Sequence, residues 1–261
     1  MDLNLGGRTA LITGASRGIG RAIAERLAAE GCHLHLAART AADLETARGE
    51  LMARYPVQVR VHALDLADGA SVATLAGACD EVDILINNAG AIPAGALGNV
   101  SEDAWRSAWD LKVFGYINLC RALYPGMAGR RRGVIINVVG IAGGEITEAN
   151  YIAGTAGNAS LAAFTRALGS VSPQDNVRVL GINPGLTATD RLVRLMETNA
   201  VARGLPAGRW RELTAEMPFG RPAEPGEVAD LTAFLASDRA AYITGTMITI
   251  DGGLSARGRL F

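Results

Sequence analysis

The stretch NYIAGTAGN, from Asn150 to Asn158, has the pattern of a helix start that carries a tyrosine. A tyrosine can act as a general acid or base, but its phenol has an ordinary pKa of about 10 and needs a nearby positive charge to work at neutral pH. Four residues after Tyr151, one helical turn further on, the chain has Thr155 and not a basic residue. The stretch therefore indicates an acid–base tyrosine whose cation either has been lost or comes from elsewhere in the chain.

The candidate for that cation is Lys112, which is the only lysine among the 25 lysine and arginine residues. A lysine kept at one position suggests a need for a compact ammonium group that the planar guanidinium of arginine cannot replace. Within about 4–6 Å of a phenol, a positive charge favours the phenolate and lowers the pKa. Lys112 is therefore a candidate to assist Tyr151; the alternative is one residual surface lysine on a helix.

A second chemical signal is the glycine-rich segment TGASRGIG, residues 13–20, which follows an apolar run and opens a helical pattern. Gly14 permits a tight turn, Gly18 lets the backbone approach a pyrophosphate, and Gly20 lets the helix pack closely on the strand. The phosphate would lie at the helix N-terminus, where backbone N–H groups point toward it. The segment predicts a dinucleotide site.

Strands and helices alternate along the chain and must position these residues. One Ala- and Leu-rich stretch, GRAIAERLAAEG, places Ile23, Leu27 and Ala28 on one helix face and ends at Gly31. We predict an α/β fold, a doubly wound Rossmann-type sheet of seven mainly parallel strands with helices on both faces, as a single domain over residues 1–261. The predicted strands are RTALIT, HLHLAA, VQVRVHAL, VDILIN, GVIINVV, VRVLGIN and TMITID.

One segment, at about residues 190–218, departs from this alternation. It is rich in arginine and glutamate, and we predict a helical flap over the site that selects the substrate. Arg191 and Arg194 at its start could bind a substrate carboxylate or phosphate, or could pair with local acids such as Glu197.

Bulk composition excludes several classes of protein. The 261 residues are 49% hydrophobic and 20% charged, with a net charge of -1, which is typical of a globular domain and gives no sign of nucleic-acid binding. The N-terminus does not have the pattern of a signal peptide, and no apolar stretch of about 20 residues could span a membrane. We expect a cytoplasmic protein that binds neither nucleic acid nor a membrane.

The sulfur and imidazole groups give no clear signal of their own. The cysteines are widely spaced and form no CxxC pair, so we expect unpaired, buried thiols in a reducing compartment. The three histidines alternate on or near strands without a cluster of carboxylates, so no metal site is indicated. These residues are Cys32, Cys79 and Cys120, and His33, His35 and His62.

Together the motifs resemble the classical short-chain dehydrogenase/reductase family. The glycine spacing is GxxxGxG, NNAG lies at residues 87–90, NPG lies at residues 183–185, and Tyr151 stands between them. The C-terminal VADLTAFLASDRAAYITGTMITIDGG is similar to the last helix and strand of that family. The resemblance covers nearly the whole chain, and it implies a Rossmann-type fold, a nicotinamide cofactor, a small-molecule substrate and a homotetramer or homodimer.

The end of the second strand, LAART, bears on which nicotinamide cofactor binds. An NAD enzyme usually has an acidic residue there for the ribose 2′-hydroxyl, and Ala38 stands at that position. Arg39 and Arg17 would suit a 2′-phosphate, so we predict NADP(H), with two solvated surface arginines as the alternative. By resemblance, the other contacts to the pyrophosphate are Gly14, Ser16, Gly18, Ile19 and Gly20, and those to the adenine are Asp65 and Leu66. The contacts to the ribose are Asn87, Ala89, Gly90, Lys112 and Tyr151. The contacts to the nicotinamide are Pro184, Gly185, Thr187 and Thr189.

The catalytic residues are where this chain departs from the family pattern of Asn, Ser and Tyr with a Lys four residues later. Tyr151 matches, but the Lys position holds Thr155. The Ser position falls on Gly140 or Val138, depending on how the segment is aligned, and neither has a hydroxyl. The Asn position falls on Lys112, so the resemblance implies that the cation has moved to a neighbouring helix.

Three functions remain open on the sequence. The first is an NADP(H)-dependent oxidoreductase that interconverts a ketone and a secondary alcohol of a small organic substrate, with Tyr151 as acid or base assisted by Lys112. The second is a non-redox lyase or isomerase, because the missing Ser weakens the site for the substrate oxygen. The third is a cofactor-binding protein without turnover. The polar residues just before Tyr151, none of which we assign in place of the Ser, are Glu145, Thr147 and Glu148.

Overall fold

A computed structural model describes residues 1–257. The strands are β1 (Thr9–Thr13), β2 (His33–Ala38), β3 (Val59–Ala63), β4 (Ile84–Asn87), β5 (Gly133–Val138), β6 (Val177–Pro184) and β7 (Met247–Ile250). They form one parallel sheet in the order β3-β2-β1-β4-β5-β6-β7. The prediction of a doubly wound sheet of seven strands is confirmed.

The α-helices cover both faces of the sheet, since each buries an apolar stripe that only the sheet can cover. In chain order they are α1 (Gly18–Ala29), α2 (Ala41–Arg54), α3 (Gly69–Ala78), α4 (Glu102–Trp109), α5 (Gly115–Arg130), α6 (Ile152–Val171), α7 (Asp190–Ala202) and α8 (Pro225–Ala236).

The two sides of the sheet have separate apolar cores, because side chains alternate along a strand. In β2, Leu34 and Leu36 enter the core that also contains Ile23 and Leu27 of α1. Ala37 enters the second core, against α3 and α5. The carboxyl ends of the strands thus stand between two helical layers, where the glycine turn and the NPG segment emerge.

The stretch that carries Lys112 is not one regular helix. A π-helical turn, Asp110–Phe114, lies between α4 and α5 and has Lys112 at its centre. Such turns are rare and occur often at functional sites, because the extra residue redirects the side chains of one turn. Here the turn contains the buried side chains of Lys112 and Val113.

The segment predicted as a flap contains α7 and a 3-10 helix, Ala207–Thr214, that pack against each other. Its action as a flap remains a prediction. Among residues 1–257, no helix has both the length and the apolar character needed to cross a membrane.

Candidate active site

The glycine turn after β1 has no room for side chains. Gly14 and Gly18 have φ angles of 65° and 59°, in the left-handed region that favours glycine. A Cβ added at Gly20 would overlap the carbonyl oxygen of Gly14 and would lie 2.5 Å from Nδ2 of Asn88. Asn88 donates from Nδ2 to the carbonyl oxygens of Thr13, at 3.0 Å, and Gly14, at 3.3 Å. Asn88 therefore holds the turn, a role that the sequence did not reveal.

The start of α1 offers donors for an anion. Its N-cap residue, Arg17, makes no side-chain cap, so the first N–H groups of the helix have no side-chain partner there. A Cβ at Gly18 would lie 3.2 Å from Cγ2 of Thr189, so the glycine turn and the segment after β6 meet. Backbone donors, a helix N-terminus and missing side chains are what a pyrophosphate requires, and the turn fits a dinucleotide.

The proposed adenosine side lies beside the end of β2. Arg39, Asp65 and Leu111 line a cavity of about 190 Å³ there. Arg17 and Arg39 are exposed, and neither forms an ion pair within residues 1–257. Both guanidinium groups are therefore free to bind an anionic group of a ligand.

Two residues predicted to line the cofactor have side chains that point into the protein. Asn87 is fully buried and donates from Nδ2 to Oδ1 of Asn137 at 2.9 Å. Leu66 is buried in the core with Leu75. Only the backbone of Asn87 or Leu66 could contact a bound cofactor, because neither side chain reaches the surface.

The other predicted contacts lie at the carboxyl ends of the strands or directly after them. Pro184 ends β6, and the N–H of Gly185 donates to the carbonyl oxygen of Ile250 in β7. Thr187 is buried and donates from Oγ1 to the carbonyl oxygen of Gly185 at 3.2 Å. This segment is held by β7, which fixes its position near the glycine turn.

Tyr151 stands immediately before α6 and is half-buried. Its ring lies over Gly154, where any Cβ would overlap it, and packs beside the cluster of Ile92, Ala108 and Ala153. Burial raises the pKa of Tyr151, and the positive charge of Arg191 lowers it by a smaller amount. The expected lowering of this pKa by Lys112 is thus not found, because Arg191 is the cation that acts on the phenol.

Lys112 is buried, and its ammonium group donates to the carbonyl oxygen of Val139 at 2.7 Å and to Oδ1 of Asn158 at 2.8 Å. Burial, and secondly the charge of Arg191, lower the pKa of Lys112 to about 8. An ammonium group has three donors, so one N–H remains after these two bonds. The lysine stem runs along Gly90, where a Cβ would lie 2.9 Å from Cδ.

Thr155, at the position where the family has a lysine, closes a loop. Its Oγ1 donates to the carbonyl oxygen of Glu148 at 3.1 Å and accepts from the N–H of Glu148 at 3.3 Å. A Cβ at Gly143 would overlap the carbonyl oxygen of Thr155, so the loop between β5 and α6 packs directly on the first turn of α6. Thr155 therefore binds its own backbone neighbourhood.

Asn158 is the residue that the sequence did not single out. It is buried, accepts from Lys112, and donates from Nδ2 to the carbonyl oxygen of Ala142 at 2.8 Å. Tyr151, Thr155 and Asn158 are spaced i, i+4 and i+7, which places them on one side of α6. The sequence signal that could have identified Asn158 was this spacing from Tyr151, together with the presence of a single lysine in the chain. Asn158 links the ammonium group to the loop.

The two candidate positions for the family serine, Gly140 and Val138, have no hydroxyl group. Gly140 has a φ angle of 126°, and a Cβ there would lie 3.3 Å from Nδ2 of Asn158. Val138 is buried, and its carbonyl oxygen accepts from the phenol of Tyr116 at 3.0 Å. Neither alignment therefore supplies a hydroxyl at this point.

The acidic residues before Tyr151 have local partners. Glu145 accepts through Oε1 from Oγ1 of Thr249 at 2.9 Å and from Nδ2 of Asn183 at 3.3 Å. Glu148 accepts through Oε1 from the N–H of Asn150 at 2.8 Å. The bonds of Glu145 secure the loop to β6 and β7, that of Glu148 lies within the loop, and neither carboxylate is an evident replacement for the serine.

The flap segment contributes the second cation. Arg191, in the first turn of α7, donates from Nη2 to the carbonyl oxygen of Ile92 at 3.1 Å. Its charge lowers the pKa of both Tyr151 and Lys112, and within residues 1–257 it forms no ion pair. The charge of Arg191 therefore acts on both the phenol and the buried ammonium group.

A protein-family model described as enoyl-(acyl carrier protein) reductase matches residues 14–255. The chain is 34% identical over 263 residues to 3-oxoacyl-acyl-carrier-protein reductase FabG of Vibrio cholerae, with 97% of this chain and 99% of that protein covered. It is 31% identical over 254 residues to 2-keto-3-deoxy-L-fuconate dehydrogenase of Xanthomonas campestris, covering 97% and 82%.

A similar solved structure is the L-sorbose reductase of Gluconobacter frateurii in complex with NADPH and L-sorbose. The TM-score is 0.91 at 33% sequence identity, and 99% of this chain and 100% of that chain are covered. The similarity thus extends over the whole described fold.

Proposed function

The chain belongs to the short-chain dehydrogenase/reductase family and is an oxidoreductase, and from this premise we propose that it uses NADP(H) to interconvert a ketone and a secondary alcohol of a small organic substrate. One observation carries the proposal. Tyr151 stands at the start of α6 beside Ile92, and Arg191 donates to the carbonyl oxygen of Ile92, so its charge acts on the phenol. This is a positively charged site around an acid–base group.

NADP(H) would be held by the glycine turn and the start of α1 through backbone donors, and by Arg17 and Arg39 through the 2′-phosphate. Two further observations support the choice of NADP(H) over NAD(H): Ala38 offers no carboxylate for a 2′-hydroxyl, and both arginines are exposed. The related L-sorbose reductase is solved with NADPH. When bound, the cofactor supplies or accepts a hydride at the substrate carbon.

Tyr151 would donate its phenol proton to the substrate oxygen in reduction and accept it in oxidation. In reduction this leaves a phenolate, which a nearby cation stabilises. Lys112 is the proposed cation, and its third N–H is the donor available for the phenol or for the nicotinamide ribose. Asn158 and Val139 would hold the ammonium group in place, as positioning residues.

The pKa of Lys112, about 8, gives this arrangement a pH dependence. Below that pH the group is an ammonium and stabilises phenolate; as the pH rises through about 8 it loses its charge. Reduction is therefore expected to slow on that rise. Arg191 would orient an anionic or hydroxylated substrate beside Tyr151.

The remaining predictions concern assembly and location. A homotetramer or homodimer and a cytoplasmic location are expected from the family resemblance and from the composition. Neither is tested by the fold of a single chain.

The proposal is tested by following the absorbance of NADPH during a screen of ketones, with NADH in parallel. We expect turnover with NADPH that falls by about 100-fold or more in Tyr151→Phe, because general acid catalysis contributes that much. NADPH affinity should change little. The matched control is Tyr124→Phe, whose hydroxyl bonds to Asp175 on another side of the fold.

Three outcomes would contradict the proposal. Full activity in Tyr151→Phe would remove the tyrosine from the mechanism. Tight binding of NADPH without turnover on any ketone or alcohol would favour a cofactor-binding protein, and substrate conversion without a change in NADPH absorbance would favour a lyase or isomerase.

A further inference from the structure

Away from the cofactor side, two imidazoles and a thiol converge. We propose that His35, His62 and Cys79 form a zinc-binding site near the amino ends of β1 and β2. The potential ligand atoms of these three residues all lie within 4.8 Å of one another. The site is separate from the glycine turn, which lies at the carboxyl end of β1, and it has no part in the proposed reaction.

The strands themselves create this convergence. Alternation in β2 sends Leu34 and Leu36 to one core and His35 to the opposite face. In β3, the residue paired with Ala37 of β2 is His62, so both histidines project from the same side of neighbouring strands. Cys79 follows the last residue of α3, the helix that covers this side. Cys79 supplies the third potential ligand. From the sequence, no metal site was expected, because no carboxylates cluster near the histidines.

The distances suit a metal ion after small adjustments. Nδ1 of His35 lies 2.9 Å from Nε2 of His62 and 2.9 Å from Sγ of Cys79, and that sulfur lies 3.8 Å from Nε2 of His62. Zinc bound to nitrogen at about 2.0–2.1 Å and to sulfur at about 2.3 Å in a tetrahedron separates its ligand atoms by roughly 3.3–3.6 Å. The observed separations fall on both sides of that range.

The chemistry of the three groups suits a metal ion. A neutral imidazole offers a lone pair to a metal, and a thiol binds zinc as the thiolate, so zinc would displace the thiol proton.

The surroundings provide space and balance the charge. His35 and Cys79 border a cavity of about 170 Å³, which has room for water in a fourth coordination position. Arg60, Asp80 and Glu81 also line that cavity. The two positive charges of zinc and that of Arg60 are matched by the thiolate and the two carboxylates. A site made of imidazole and thiolate ligands binds zinc in preference to magnesium or calcium.

The test is a zinc titration of the purified, metal-stripped protein by calorimetry, with cobalt(II) as a spectroscopic probe. We expect one ion per chain, release of a proton on binding, and thiolate-to-cobalt charge-transfer absorption. Cys79→Ala should weaken binding by at least about 100-fold and abolish that absorption, since losing a ligand costs more affinity than losing a group that only hydrogen-bonds to a ligand.

Two further variants complete the experiment. His62→Gln, at a half-buried side chain, gives a second loss of ligand if Cys79→Ala folds poorly. Cys120→Ala removes an equally buried thiol, bonded to Asn87, and should bind zinc as the wild type does. The proposal is overturned if wild-type protein binds no zinc beyond the level of Cys79→Ala, or if His62→Gln retains full affinity.

Discussion

The glycine turn and the catalytic corner, defined as residues 138–158 together with Lys112, solve their tasks by different physical means. The turn works through backbone: Gly14, Gly18 and Gly20 leave no space for a side chain, and the donors are N–H groups. The corner is proposed to work through charge, with a lysine on the 110–114 π turn instead of one at position 155. A backbone conformation that requires glycine tolerates few other residues. A positive charge, in contrast, can be brought to one point by a side chain from any of several helices.

The largest effect is expected from a substitution in the glycine turn, which tests the role of the backbone. In Gly20→Ala the new methyl group would overlap the carbonyl oxygen of Gly14 and press on Asn88, so the turn must move. We expect NADPH binding to fall below detection and the free energy of unfolding to fall by about 1–3 kcal/mol. Fluorescence titration with NADPH and chemical denaturation measure these.

The control for that variant is Gly49→Ala in α2, where an added Cβ meets nothing within 4 Å. It should bind NADPH normally and gain roughly 0.5–1 kcal/mol of stability, as glycine is a poor helix former. Normal NADPH binding by Gly20→Ala would show that the turn tolerates side chains.

The next effect tests the charge side. Lys112→Met should lower kcat for ketone reduction by about 100-fold, because the phenolate loses its cation. The wild-type rate should fall as the pH rises through about 8, where Lys112 deprotonates, and this inflection should vanish in the variant. Comparison of the pH–rate profiles of the wild type and Lys112→Met measures both changes.

Lys112→Arg sharpens the same point. It keeps a positive charge at every accessible pH but not the compact shape of an ammonium group. We expect reduced activity with no inflection near pH 8. An unaltered pH profile in Lys112→Met would mean that another group controls the reaction.

A smaller effect is expected at the edge of the cofactor site. Arg39→Ala should weaken NADPH binding by roughly 10-fold or more, since a charge-assisted hydrogen bond contributes about 1.5–3 kcal/mol, and should leave NADH binding unchanged. Arg121→Ala, at an exposed arginine of α5, is the control. Equal loss of affinity for both cofactors would argue against a contact with the 2′-phosphate.

The smallest effect is expected at Thr155, where the family has its lysine. Thr155→Val removes two hydrogen bonds to the backbone of Glu148 and should reduce the free energy of unfolding by about 1 kcal/mol. The kcat should stay within about threefold of the wild type, because Thr155 is expected only to close the loop. A loss comparable to that of Lys112→Met would return Thr155 to the catalytic machinery.

Much of the fold followed from the sequence, and less of the site did. The seven strands were predicted because their apolar, β-branched runs are local signals, and all seven lie in the parallel sheet. The glycine turn was recognisable because its needs are local as well. Asn88 and Asn158 were missed, since each acts on backbone or side chains far away along the chain.

The sequence by itself determined the doubly wound sheet, the dinucleotide turn, the presence of Tyr151 and the absence of the family serine and lysine. Only the tertiary structure decided that Lys112 meets Asn158, 46 residues later, and that Cys79 meets His35, 44 residues earlier. The reason is physical. Periodicity and backbone strain are encoded within a few residues, whereas the meeting of side chains depends on how whole helices pack against the sheet.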